Sequence, residues 1–186
     1  DEELPKASLL KHPQEVLAVF EQPEYKEDLS VVKKSLCLAL DNVQDPGNLG
    51  TIVRLADWFG IEHIFCSLNT VDVYNPKTVQ ATMGAIARVK VHYVSLFQMI
   101  SELGECPVYG TFLGGENIYD ETLSPFGLIV MGNEGSGISS DIAELINHRL
   151  YIPNYPANRE TSESLNVAIA TAITCAEFRR QMIAGK

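Results

Sequence analysis

A chain of 186 residues, 46 % hydrophobic and 20 % charged, carries enough apolar material for one domain of ordinary size and is neither disordered nor fibrous. Its uncharged stretches fall short of a membrane span and no basic-then-apolar leader opens it, so a cytoplasmic protein with no membrane partner is expected. The formal charge of -10 opposes broad electrostatic binding to nucleic acid, but it is compatible with a local basic patch or one completed across a dimer.

Residues 1–34 differ in character from the rest of the chain. They are charged, interrupted by Pro5, Pro13 and Pro23, and contain one strand-like run, 16-VLAVF-20, amid turns and linker. The chain begins at 1-DEELPK without an initiator methionine, as a fragment of a longer protein would. From residue 35 a regular pattern sets in. The run 36-LCLAL-40 is apolar on both faces, as a strand covered by helices on both sides would be. Ile52, Leu55, Ala56 and Phe59 then recur at helical spacing until Gly60 stops the helix, and 61-IEHIFC-66 reads as the next strand.

A helix over 77–87, weakened by Gly84, leads to a strand over 89–94, a short helix over 95–104 and a strand over 107–113. The run 126-FGLIVM-131 is a further strand, followed by a helix over 138–146 capped by Ser139 or Ser140. The segment 150-LYIP-153 and a long helix over 164–180 close the chain. Alternation of this kind implies an α/β domain with a mostly parallel sheet and helices on both faces, over residues 35–186. Ligands in this class sit in loops beyond the carboxyl ends of the strands. The final helix, with Ala168, Ala170, Ala172 and Ala176 spread around it, is either buried within the domain or packed on another chain.

Cys37, Cys66, Cys106 and Cys175 lie far apart with no CxxC pair, and the four histidines are equally scattered. Buried reduced thiols and no metal site are therefore expected.

Three loops hold residues that fold alone does not require. In 42-NVQDPGNLGTIVRLADWFG-60, Asp45 and Pro46 make a turn, Gly47 and Gly50 permit close approach, and Asn48 or Asn42 can fix the loop. Arg54 falls near the start of the following helix, either presented toward the loop or paired with Asp57 on a wet face. In 132-GNEGSG-137, three glycines free backbone amides for a ligand, and Glu134 is either an acceptor for that ligand or an ordinary turn carboxylate. No lysine follows the last glycine, and GxGxxG is not matched, which excludes the common phosphate and dinucleotide loops. In 161-TSESLNVAIA-170, Ser164 suits a helix cap, whereas the Asn166 amide calls for a partner.

Taken in order and spacing, NVQDPGNLGTIVRLADWFG, IVMGNEGSGIS and IPNYPANRETSESLNVAIATAI resemble the three motifs of the SpoU (TrmH) family of RNA ribose 2'-O-methyltransferases, over roughly residues 35–180. The resemblance implies a carboxyl-terminal trefoil knot, a homodimer, and S-adenosylmethionine as cofactor. It places catalytic roles on Asn48, Arg54, Glu134, Ser164 and Asn166. Cofactor contacts, largely through backbone, would come from Gly110, Thr111, Phe112, Leu113, Gly132, Asn133, Gly135, Ile152, Ser164, Leu165 and Asn166. RNA is the implied partner, ribosomal ahead of transfer RNA, and Arg54 is expected to serve the partner subunit's site.

The sequence departs from the family at 152-IPNYP-156, where Ile-Pro-Met is usual, and in the charged link 154–163. Residues 5–23 resemble the junction after a small amino-terminal RNA-binding domain, which would be absent from this chain. An RNA surface would have to gather Lys77, Arg88, Arg159, Arg179 or Arg180. A same-fold base methyltransferase, a non-catalytic binding protein and a dinucleotide enzyme are the competing readings.

Overall fold

The computed structural model describes residues 6, 8, 16, 18–26, 28–156 and 164–185. Six strands form one sheet: β1 (Leu36–Leu40), β2 (His63–Ser67), β3 (Lys90–Val94), β4 (Val108–Asn117), β5 (Gly127–Met131) and β6 (His148–Tyr151). Their order is β3-β2-β1-β5-β4-β6 and every pairing is parallel. Among the described residues five α-helices accompany them: α1 (Pro46–Trp58), α2 (Pro76–Thr82), α3 (Leu96–Glu102), α4 (Ser140–Ala143) and α5 (Val167–Ala184).

The alternation of β1 sorts the core. Leu36, Leu38 and Leu40 join one apolar cluster with α1 and α5, through Ile52, Val53 and Phe178. Cys37 and Ala39 face the other, with Met99 and Ile100 of α3 and Ile142 of α4. All five β1 residues are buried because helices cover both faces, as the sequence anticipates. Val32, ahead of β1, already belongs to the second cluster. All four cysteines are buried free thiols, and burial pushes Cys37 up to about 11 and Cys175 up to about 12. Among the described residues no group of three or more potential ligands is arranged to hold a metal, and no helix is long and apolar enough to cross a membrane.

Several expected boundaries move. Val16 and Ala18–Phe20 form no strand and Val16, Val19 and Phe20 are exposed; with Leu17 outside the described residues, nothing pairs the rest to the sheet. The helix expected over 77–87 ends at Thr82, because Met83 and Gly84 both take positive φ, 50° and 87°. The helix expected over 138–146 shrinks to Ser140–Ala143, and the Ser139 hydroxyl donates to Asp41 instead of capping it. β4 runs on to Asn117 through a register shift against β6 between Thr111 and Glu116. In the final helix one face is buried, through Thr171, Thr174, Glu177 and Phe178, while Ile169 and Ile183 on the other are 54 % and 88 % exposed.

Candidate functional site

The first loop turns into helix earlier than its glycines suggest. Pro46 is the first helical residue and needs no N–H partner, while the Asp45 carboxylate accepts from the Asn48 amide at 2.8 Å. Asn48 therefore sits in the first turn of α1. Gly50 faces α2: a Cβ there would lie 2.5 Å from the Ala81 Cβ and 2.6 Å from the Thr78 carbonyl. Its bareness serves close helix packing, not ligand approach.

Arg54 lies in the third turn, six residues past Asn48 and about 9 Å along the axis at 1.5 Å per residue. It is exposed and, among the described residues, has no hydrogen-bond or ion-pair partner. Asp57 is taken by Arg88 instead, through bonds of 2.8 and 2.7 Å, so the Arg54–Asp57 pairing does not form.

The glycine-rich loop is a tight reversal. Asn133 and Gly137 exchange backbone hydrogen bonds at 2.9 and 3.0 Å, and a Cβ on Gly132 would meet the Gly137 carbonyl carbon at 2.2 Å. The Asn133 oxygen accepts from Gly135 and Ser136 amides, and its amide donates to the Asn42 carbonyl at 2.7 Å. Asp41, buried at the end of β1, accepts from the Ser139 amide and hydroxyl, both at 2.7 Å. These bonds tie the second loop to the first strand. Asp41 is a residue that sequence reasoning missed, although a charge directly ending a wholly apolar strand marks it.

The third loop supplies the link. Asn166, not Ser164, caps α5: its oxygen accepts from Ala168 and Ile169 amides at 3.0 and 3.2 Å. With that oxygen engaged, its NH2 donates to the Asn48 oxygen at 3.0 Å, and the Asn48 NH2 donates to Glu134 at 3.0 Å. The Glu134 carboxylate also faces the Gln44 and Asp45 amides at 3.4 Å. One residue from each loop thus joins a directional chain, Asn166 to Asn48 to Glu134, ending on an acceptor.

Beside this chain opens a cavity of about 630 Å³, within the range of small-molecule sites. Thr111, Phe112 and Leu113 line it from β4; Gly132, Asn133 and Gly135 line it from the second loop, with Glu134. Ile152, Ser164 and Leu165 close it from the last segment. Gly110 lies behind the wall, where a Cβ would meet Ile146 at 2.5 Å and Phe112 at 2.8 Å. Asn48, Asn166 and Arg54 are not in the lining; the first two reach it through Glu134, and Arg54 does not reach it within one chain. Arg149 of β6 also lines the cavity, its guanidinium 3.6 Å above the Phe112 ring centre.

Three of the cations expected to be gathered by a further domain or a dimer groove are engaged within this chain. Arg88 binds Asp57, Arg179 donates to the Phe59 and Gly60 carbonyls, and Arg180 pairs with Glu177. Lys77 is exposed at the start of α2, and Arg159 lies outside the described residues.

A parallel sheet with its cavity at the strands' carboxyl ends, walled by β4, the second loop and the last segment, defines a ligand-binding α/β domain. The profile of the SpoU rRNA Methylase family matches residues 35–176, and the chain belongs to that family. It is 38 % identical over 171 residues to the 23S rRNA (guanosine(2553)-2'-O)-methyltransferase RlmP of Bacillus subtilis, covering 90 % of this chain and 65 % of that relative. The chain therefore spans somewhat less than two thirds of that relative's length. A TrmH-family structure from Porphyromonas gingivalis matches with a TM-score of 0.79 at 41 % identity, over 96 % of this chain and 71 % of that one. An AdoMet-bound rRNA methyltransferase from Sinorhizobium meliloti matches with a TM-score of 0.72 at 33 % identity, over 80 % and 57 %.

Proposed function

We propose that this protein transfers a methyl group from S-adenosylmethionine to a ribose 2'-hydroxyl of RNA, ribosomal ahead of transfer RNA. The observation that carries this reading is the Asn166–Asn48–Glu134 chain at the edge of a cavity of cofactor size, with all three family motifs converging on it. The named relative acting on 23S rRNA supports ribosomal RNA as the substrate class.

The residues present suit the cofactor. Between Thr111 and Glu116 the backbone of β4 shifts register against β6, and Thr111, Phe112, Leu113 and Gly114 of this stretch line the cavity. Gly132, Asn133 and Gly135 of the turn and the walls from Ile152 and Leu165 complete the lining. When bound, S-adenosylmethionine supplies an already activated sulfonium methyl, so the protein's task is alignment and removal of a proton.

Glu134 and Asn48 orient the ribose, Asn166 fixes Asn48, and Ser164 holds the third loop against the cavity. Arg54 stabilises the developing alkoxide. About 4 Å from that oxygen, a guanidinium contributes on the order of 4 kcal/mol at an effective dielectric near 20. It holds its own proton too tightly to serve as base, so a phosphate or water takes the hydroxyl proton.

Arg54 stands on the outer side of α1 and works in trans, each subunit's guanidinium serving the other's cavity. The homodimer this requires is supported by Trp58 of α1, 83 % exposed, and by the exposed Ile169 of α5. A trefoil knot formed by the carboxyl-terminal segment and a cytoplasmic location complete the proposal.

The test is digestion of total RNA to nucleosides after incubation with the full-length protein and labelled cofactor. A labelled 2'-O-methylribose supports the reaction; label on a base, or none, rejects it.

A further inference from the structure

Arg149 has no part in the proposed methyl transfer, yet it is the one cation among the described residues lining the cavity. Its guanidinium carbon lies over the Phe112 ring, 3.6 Å from the ring centre, and the side chain is exposed on the edge strand β6. Among the described residues no carboxylate neutralises it and no hydrogen bond engages its N–H donors. Stacking on an aromatic face fixes the plane of the fork, the arrangement that suits bidentate capture of a phosphate.

The rest of the surface gives this position weight. The chain carries a formal charge of -10, and Arg88, Arg179 and Arg180 are committed to protein groups. An RNA strand approaching the cavity meets net repulsion except where an unneutralised cation stands. In the strand order, β1 and β6 are separated by β5 and β4. Three strand spacings place their ends about 14 Å apart. The Asn48–Glu134 pair and Arg149 therefore flank opposite sides of the cavity.

We propose that Arg149, held on Phe112, takes a backbone phosphate of the RNA strand at a nucleotide away from the one methylated. This rests on the reading of the cavity as a site of methyl transfer to RNA.

The experiment compares wild type, Arg149→Ala and Arg149→Lys in the full-length protein. RNA binding is measured on a 23S rRNA transcript between about 50 and 200 mM salt, and S-adenosylmethionine binding by calorimetry. For Arg149→Ala the slope of log K against log salt is expected to shrink by about 0.7 to 0.9, with RNA binding weaker by about three- to tenfold at low salt. Arg149→Lys keeps the wild-type slope because charge is retained, yet binds more weakly because the fork is lost. Cofactor affinity falls by less than RNA affinity in both, since Arg149 also lines the cavity.

An unchanged slope in Arg149→Ala overturns the proposal. So does a large loss of cofactor affinity at constant slope, which assigns the guanidinium to the cofactor carboxylate. Absence of methyl transfer by the wild type counts against the proposed reaction and not against the phosphate contact, which the salt slope reads independently.

Discussion

Asn166 donates to the side-chain oxygen of Asn48 at 3.0 Å across 118 positions of sequence, while its own oxygen caps α5. One amide therefore does two separable jobs. Asn166→Asp keeps a good cap, favoured further by the helix dipole, but turns an oxygen toward the Asn48 oxygen. Its melting temperature should match wild type while methyl transfer falls by about 10²-fold. Asn166→Ala should lose about 1 kcal/mol of stability as well. Thermal denaturation alongside a transfer assay separates the two, and a fully active Asn166→Asp enzyme would show that the Asn48 contact is dispensable.

Arg54 is exposed and has no partner among the described residues, so its removal should be structurally silent. Arg54→Ala should leave unfolding free energy within about 0.5 kcal/mol and cofactor affinity unchanged. The transfer rate should drop by about 10²- to 10³-fold. Equal loss of rate and cofactor binding, by single-turnover assay and calorimetry, would remove the role in stabilising the alkoxide.

Gly50→Ala tests the α1–α2 contact. Helix propensity favours alanine by up to about 1 kcal/mol, but the added methyl meets the Ala81 Cβ at 2.5 Å and the Thr78 carbonyl at 2.6 Å. Overpacking of a close contact costs about 1 to 3 kcal/mol and should win. Urea unfolding should show net destabilisation; a stabilised variant would mean the helices part freely.

His92 gives the fold a pH dependence. Burial first, then neighbouring His63 and Lys90, depress its pKa to about 4, while the unfolded value stays near 6.5. The folded state disfavours the charged ring, so the full contribution is present above about pH 6.5. It falls as the unfolded chain takes up the proton and is lost as pH drops through 4. Protonation of both rings would set two donors against each other at the 3.1 Å contact between His63 Nδ1 and His92 Nε2. Chemical denaturation between pH 7 and 4 should show this loss, at most about 3 kcal/mol, and His92→Phe should flatten it. A profile identical in the variant would assign the dependence to other groups.

How much the sequence could disclose depends on how local each signal is. The buried strand 36-LCLAL-40 and the glycine after Phe59 state their roles within a few residues, and both hold. The start of α1 is misplaced by the sequence because Gly47 and Gly50 imitate a loop, when Gly50 answers to Ala81 on another helix. That error puts Arg54 near the start of the helix instead of in its third turn. Asn166 is rightly marked as needing a partner, but its cap on α5 is given to Ser164, since both residue types suit that position. Committed cations such as Arg179, bonded to carbonyls 119 and 120 positions away, are unreadable from spacing alone. Arg149 likewise gains meaning only when the fold lays it on Phe112.

Because all six strands run the same way, their finishing ends share one rim, and the reactive side chains hang from that rim while the opposite edge carries none of them. Insertions or exchanges at the rim leave the register of each strand untouched. A lineage built on this plan can change which ligand it selects by altering a few connecting residues, with the inherited interior passed on intact.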